Sequence, residues 1–340
     1  MKAFTFPGDR RVMVVERPVR EPGPGEVLIR TRTSAICGTD LHLFRQPADQ
    51  RAPMADVITG HEAVGEVERV GEGVTQLTKG ARVVVYHVGG CGACEACQLR
   101  RYKECPHFGE VAMAETRDGA NAEFITVPAG QCLPLPEDFS FEDGAVLACN
   151  FGTAYGAVKN AEVAPAGTVA VWGMGPVGLC IVMIAKALGQ RVIAIEVSPS
   201  RCARAERLGA EVIDGQATDV AEQLRSLTNG QGPHAVIDTT GVPAVQEALV
   251  PSVRVRGRVV LIGIGHDSTV GPILSVILKQ LTIVGSWIYD VEDWSDMLHL
   301  IRSGNLDLSQ LVEVVASPDE AEEMFRRADL ADGAKVVFSW

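Results

Sequence analysis

The chain has 340 residues, of which 46% are hydrophobic and 22% charged, and a formal net charge of −12. That length predicts two domains, the composition is that of a globular protein, and the acidic balance argues against a nucleic-acid or membrane-surface partner, which wants a basic face. The opening MKAFTFPGDRRVMVV lacks the apolar stretch of a secretory signal, and no window reaches the about eighteen apolar residues of a spanning helix, so a cytoplasmic protein is expected.

From Val12 to Val85 the short β-branched runs VMVVERPV, EVLIRTRTSA, AVGEVERV and ARVVVYHV alternate with the turn formers PGPGE, GEGV and LTKG. This predicts a mostly-β first domain. Two stretches inside it carry side chains able to bind metal or move protons. AICGTDLH holds Cys37, Thr39, Asp40 and His42, and TGHEAVGEVERVGEGV holds His61 and Glu62. Singly, each has an ordinary alternative: a lone thiol packs as a small hydrophobe, and Gly-Thr-Asp makes a turn.

GGCGACEACQLRRYKEC follows, with Cys91, Cys94, Cys97 and Cys105 spaced C-x2-C-x2-C-x7-C. A reducing cytoplasm favours metal over disulfides, and four thiolates in a tight loop suit tetrahedral zinc at about 2.3 Å. With all four positions filled by cysteine no coordination site is left for substrate, so the predicted lobe at 89–107 is structural. A redox thiol cluster and an iron–sulfur centre are the competing readings.

LACNFGTAYG then adds Cys149 and Thr153, and near Thr168 the pattern changes. TVAVWGMG, RVIAIEV, AEVIDG, PHAVIDTTG, GRVVLIGIG and LTIVGSW read as buried strands with helical stretches between them, which predicts βαβ units on a parallel sheet. VAVWGMGPVGLC carries G-x-G-x-x-G at Gly173, Gly175 and Gly178, with Pro176 and Val177 opening the helix. After a strand and before a helix, such glycines let a pyrophosphate approach the helix N-terminus. At the end of the next strand, Glu196 is placed to accept from both adenosine ribose hydroxyls and to repel a 2′-phosphate, which predicts NAD over NADP. Arg201, five residues on, argues the other way. After Trp287 come a helix around Trp294–Ser303 and a last strand, AKVVFSW, expected to rejoin the first domain.

GHE-x2-G-x5-G-x2-V is matched at every fixed position, by Gly60, His61, Glu62, Gly65, Gly71 and Val74. With the cysteine lobe and the glycine turn, in that order over essentially the whole length, the chain resembles the zinc-dependent medium-chain alcohol dehydrogenases of the medium-chain dehydrogenase/reductase superfamily. The resemblance implies an α/β chain: a mostly-β GroES-like catalytic domain at 1–150 and 287–340, and a doubly wound Rossmann domain at 151–286. It also implies two zinc ions per chain, NAD, a small alcohol or carbonyl substrate and a homo-tetramer or dimer.

The resemblance further implies that Cys37, His61 and Cys149 bind a catalytic zinc, which lowers the pKa of a coordinated hydroxyl. Glu62 is the alternative ligand, because polyol dehydrogenases of this kind put an acidic residue where Cys149 stands. A proton relay through Thr39, a cofactor ribose and His42 is implied, with Asp40 orienting the zinc histidine. Thr153, Gly263 and Ile264 are implied at the nicotinamide and Lys335 at the pyrophosphate. His87 and Trp287 fall at substrate-pocket positions, where simple packing is their ordinary alternative. His87 hints at a diol, polyol or sugar, and Cys149 at ordinary alcohols. The expected activity is hydride transfer between an alcohol and an aldehyde or ketone. Polyol, sugar or amino-alcohol (threonine-type) dehydrogenation is the alternative within the family, and a catalytically silent dinucleotide-sensing zinc protein or a zinc-free quinone or enoyl reductase lies outside that activity.

Overall fold

The computed structural model describes residues 1–108, 113–265, 270–330 and 335–340. The chain divides into two compact units: Met1–Cys149 with Asp290–Trp294 and Leu308–Trp340, and Asn150–Tyr289 with Ser295–Asp307.

The first unit begins with the hairpin Lys2–Gly8 and Arg11–Glu16. Its turn residues Asp9 and Arg10 both take positive φ, at 54° and 55°, the hand that matches strand twist. The main sheet runs in the order Val312–Ala316, Lys335–Ser339, Glu26–Ala35, Val64–Val70, Arg82–Val85 and Cys132–Pro134. Glu26–Ala35 organises it. Its first half pairs with Phe124–Pro128 and its last residues with Lys335–Ser339, while Val64–Val70 runs along it across two register shifts. The last strand of the chain is thereby brought beside the residues that lead into Cys37.

The N- and C-terminal segments share one core. Phe4, Phe6, Phe44, Phe325 and Phe338 are all fully buried. Phe6 meets Phe325 edge to face at 5.0 Å and Phe4 meets Phe338 at 5.1 Å. Each buried ring contributes about 1.5–3 kcal/mol, which fixes the terminal strand against the first hairpin.

The second unit is a six-stranded parallel sheet ordered Glu211–Asp214, Arg191–Glu196, Thr168–Trp172, Ala235–Asp238, Arg258–Leu261, Thr282–Gly285. In chain order within the unit this is 3-2-1-4-5-6, the doubly wound arrangement, with the order reversing between Thr168–Trp172 and Ala235–Asp238. Every residue of those two strands is buried, as a sheet covered on both faces requires. Proline opens the helices Pro176–Ala187, Pro199–Arg207 and Pro243–Ser252, where its missing N–H costs nothing.

The domain boundary near the C-terminus departs from expectation. Residues 295–307 group with the nucleotide unit and not with the catalytic one. The helix Trp294–Ser303 presents His299 and Leu300 to the same cavity as Tyr155, Val158 and Ile184. Asp290–Trp294 and Leu308–Trp340 stay with the first unit, where Trp294 Nε1 donates to Pro134 O at 3.0 Å.

Candidate metal centres and dinucleotide turn

Two groups of ligand-type side chains converge in the first unit. Cys37, His61, Glu62 and Cys149 bring ligand atoms within 4.8 Å of one another, as do Cys91, Cys94, Cys97 and Cys105. Four tetrahedral zinc–sulfur bonds of about 2.3 Å put the sulfurs about 3.8 Å apart. Cys37 and Cys149 Sγ lie at 3.9 Å, and Cys94 and Cys105 Sγ at 3.8 Å. A disulfide would need about 2.0 Å. Both groups therefore fit zinc, the first with three or four donors and the second with four thiolates.

Three members of the first group, Cys37, His61 and Cys149, come from unrelated elements. Cys37 is the N-cap of the helix Gly38–Arg45, His61 precedes the strand Val64–Val70, and Cys149 lies in the π-helical turn Leu147–Phe151. A π turn between two α-helices re-aims one side chain without ending the rod. Asp40, fully buried, accepts from Cys37 N at 2.8 Å, and its other oxygen faces His61 Nδ1 at 3.6 Å. Among these protein groups alone, burial opposes charge on His61, but Asp40 and Cys37 outweigh it and hold the imidazole well above its usual range. The hydrogen bond shared by the Cys37 and Cys149 sulfurs holds Cys37 well below the ordinary thiol range and Cys149 well above it.

Lys335, which the resemblance implies at the pyrophosphate, stands beside this group in the structure. Its ammonium is buried in this cluster, paired with the Glu62 carboxylate and donating to Ile36 O at 3.1 Å. The register pairing Val337 with Ala35 runs on to set Lys335 level with Cys37. Burial raises Glu62 to about 7 against the pull of Lys335. Burial also opposes charge on Lys335, yet Glu62 keeps its pKa above the usual lysine value. Both oxygens of Glu62 are buried, and Oε1 has no hydrogen-bond partner.

Thr39 and His42 lie three residues apart on the helix Gly38–Arg45, on one face, Thr39 half-buried and His42 exposed. The His87 ring stands 4.8 Å from the His61 ring. It bonds the backbone at Ala148, and its Nδ1 is buried without a partner. Burial, then the charge on His61, pushes it down to about 3, so the ring is neutral.

The cysteine lobe is built on the short helix Glu95–Gln98 and a turn at Tyr102–Glu104. Backbone amides of Ala93 and Cys94 push the Cys91 thiol down to about 6, while burial pushes Cys97 up to about 12. A bound cation favours the thiolate at every position.

In the second unit the three glycines differ in the way a dinucleotide turn needs. Gly173 has φ +88°, a Cβ on Gly178 would strike Gly173 O at 1.9 Å, and a Cβ on Gly175 would meet nothing within 4 Å. The first makes the turn, the third packs the helix against it, and the second leaves the backbone approachable. Glu196 is buried behind this turn. Its carboxylate accepts from Met174 N at 2.7 Å, Val197 N at 2.7 Å and Ser198 N at 2.9 Å, with Arg201 at 3.7 Å. A carboxylate has about four acceptor positions, so one remains open, fewer than the two that both ribose hydroxyls would need.

Across the switch point Asp238, fully buried, accepts from Thr240 N at 2.7 Å and from Gln246 Nε2 at 3.1 Å. Sequence reasoning missed it, although a strand running straight into Asp-Thr-Thr-Gly is the signal for a capped turn. Gly263 lies so close to this loop that its Cβ would fall 2.0 Å from Gly241 N. Thr153 is buried in the helix Gly152–Ala161, while Ile264 and Trp287 are 74% and 45% exposed.

Comparison with known proteins agrees with this geometry. A family model for the alcohol dehydrogenase GroES-like domain matches residues 23–137, and one for zinc-binding dehydrogenases matches residues 176–303. A zinc-type alcohol dehydrogenase-like protein of Escherichia coli is 33% identical over 86% of this chain and 88% of its own. A probable D-xylulose reductase A of Aspergillus fumigatus is 31% identical over 99% of this chain and 96% of its own. The solved alcohol dehydrogenase TADH of Thermus sp. ATN1 is 31% identical with a TM-score of 0.91, covering 100% of this chain and 99% of that one.

The chain belongs to the zinc-dependent medium-chain alcohol dehydrogenase family. It is accordingly an NAD- and zinc-dependent oxidoreductase that interconverts an alcohol and an aldehyde or ketone.

Proposed function

We propose that the substrate is a small hydroxylated one, a diol, polyol or sugar alcohol and its keto form, with Cys37, His61 and Cys149 as the catalytic zinc ligands. The reading is carried by the neutral His87 ring beside His61, which gives the site a polar wall. The D-xylulose reductase relative supports it. Simple alcohols are the second reading, favoured by a thiol, Cys149, as third ligand 3.9 Å from Cys37.

Bound there, zinc supplies Lewis acidity that makes a coordinated hydroxyl acidic near neutral pH. The protein's part is positional. Asp40 holds His61 Nδ1 and leaves Nε2 for the metal. Lys335 keeps the Glu62 carboxylate compensated beside the thiols. Thr39 Oγ1 accepts the substrate proton, and the exposed His42 returns a proton to solvent. Gly175 and the start of the helix Pro176–Ala187 receive the NAD pyrophosphate, and Glu196 the adenosine ribose. Glu62 as an alternative zinc ligand, Thr153, Gly263 and Ile264 at the nicotinamide, and Trp287 at the pocket complete the reading.

The same protein assembles as a homo-oligomer, and a dimer is its smallest unit. In the second unit Ile273, Leu274, Ile277 and Leu278 are 64–70% exposed on one short helix. The edge strand Thr282–Gly285 lies next in the chain. A two-fold pairing of such edges covers both copies at once. Nine cysteines with no disulfide among the described residues suit a reducing compartment.

The test is a screen of kcat/KM over simple alcohols, diols, polyols and aldoses, run on the natural chain and on Cys149→Ala beside metal analysis. Two zinc ions per chain and a preference for polyols are expected, with Cys149→Ala holding one zinc, turning over nothing and still binding NADH. Two zincs or full activity in Cys149→Ala overturns the ligand assignment, and uniformly higher values for simple alcohols favour the second reading.

A further inference from the structure

The first unit holds a cavity of about 400 Å³ whose walls include none of the residues of either metal group. Two guanidinium groups, Arg20 and Arg117, share it with the apolar side chains Leu28, Val57 and Phe124 and with one carboxylate, Asp118. The chain as a whole carries a net charge of −12.

The charges are unequally used. Arg20 is committed to Glu26 at 2.6 Å, and Asp118 Oδ1 accepts from Ile58 N at 3.0 Å. Arg117 is half-buried, and its bond to Thr126 O is long, at 3.5 Å. No carboxylate among the described residues forms an ion pair with it. Burial lowers its pKa, Glu26 works against that, and the like charge of Arg20 adds to burial. A guanidinium has five N–H donors in a planar fork matched to carboxylate and phosphate, and a partly desolvated one without a counter-ion is poised to take such an anion.

We propose that this cavity is a binding site for a small organic anion, a carboxylate or phosphate ester carrying an apolar group, with Arg117 holding the charged end and Leu28, Val57 and Phe124 the apolar end. A volume of about 400 Å³ lies in the range of small-molecule sites. Its wall is also mechanically close to the catalytic centre: Gly119 N donates to Ile58 O at 2.8 Å, and Ile58 stands three residues before His61 on the same stretch of backbone.

The experiment titrates zinc-loaded enzyme, saturated with NADH so that the dinucleotide site is closed to anions, with phenyl phosphate, benzoate, benzamide and inorganic phosphate by calorimetry. Saturable one-to-one binding of phenyl phosphate or benzoate is expected, and the tighter of the two identifies the anion class. Benzamide and inorganic phosphate should bind at least about tenfold more weakly than that better probe, the first lacking the charge and the second the apolar body. Arg117→Gln should weaken the better probe about tenfold or more while turnover and melting temperature stay unchanged. Arg20→Gln, at an exposed position, is the second variant and should weaken it less. The proposal fails if neither anion saturates, if inorganic phosphate binds as tightly as phenyl phosphate, or if Arg117→Gln binds as the natural chain does.

Discussion

Replacing Lys335 with methionine separates two readings of that residue that differ in kind. If the ammonium is the buried partner of Glu62, the substitution leaves a carboxylate without compensation next to the Cys37 and Cys149 thiols. Lys335 is 1% exposed and Glu62 0%, so no water relieves the loss. Breaking a buried pair from one side costs about 3–5 kcal/mol. For a unit of this size about 2–4 °C is lost per kcal/mol, so the melting temperature should fall by about 10 °C. The penalty arises from the stranded charge and not from the lost bond, so it should be largely reversed by adding Glu62→Gln. If Lys335 instead reached a pyrophosphate, Lys335→Met would weaken NADH binding and leave melting almost untouched. The assay is thermal unfolding of the two single variants and the double variant, beside NADH titration of each. A fall of less than about 3 °C in Lys335→Met, or a double variant no more stable than that single one, would falsify the buried-pair account.

Two further outcomes follow from the second unit. Glu196→Ser should lower the NAD/NADP ratio of kcat/KM, and it should also cost stability, because three backbone amides lose their acceptor; an unaltered ratio counts against a ribose role. Ile277→Glu places a charge in the exposed aliphatic face and should move the enzyme towards the monomer in sedimentation, whereas an unchanged mass removes that face from the assembly.

What could be read from the residues in advance depends on how local the signal is. The cysteine lobe was legible because its four ligands sit within fifteen residues and their chemistry needs no knowledge of the rest of the fold. The parallel sheet was legible because each strand–helix unit declares its own period. The catalytic group was different. Cys37 and Cys149 are 112 residues apart, and nothing in either neighbourhood says that they meet. Only likeness to a family joined them. The pairing of Lys335 with Glu62 was hidden for the same reason. The position of Lys335 is decided by the antiparallel register of Lys335–Ser339 on Glu26–Ala35, a long-range pairing that no window of sequence contains. Ser295–Asp307 groups with the second unit, which the sequence did not announce because an amphipathic stretch shows an apolar face but not the surface that covers it.

The long-range assembly nevertheless rests on one local device. Asp40 stands at the third position of the helix that Cys37 caps, where an acidic side chain ordinarily turns back to the cap's own amide. Here one oxygen does that, at 2.8 Å, and the other is left facing His61 Nδ1 at 3.6 Å. A single buried carboxylate therefore holds the Cys37 amide and faces the His61 ring. The same helix N-terminus favours the thiolate form of Cys37 through its aligned amides. Cys37 is thus held in place and biased towards its thiolate, and the His61 ring is faced by the same carboxylate, through ordinary helix-capping chemistry. What remains to be brought in from afar is Cys149 alone, and the π turn at Leu147–Phe151 is the irregularity that aims it.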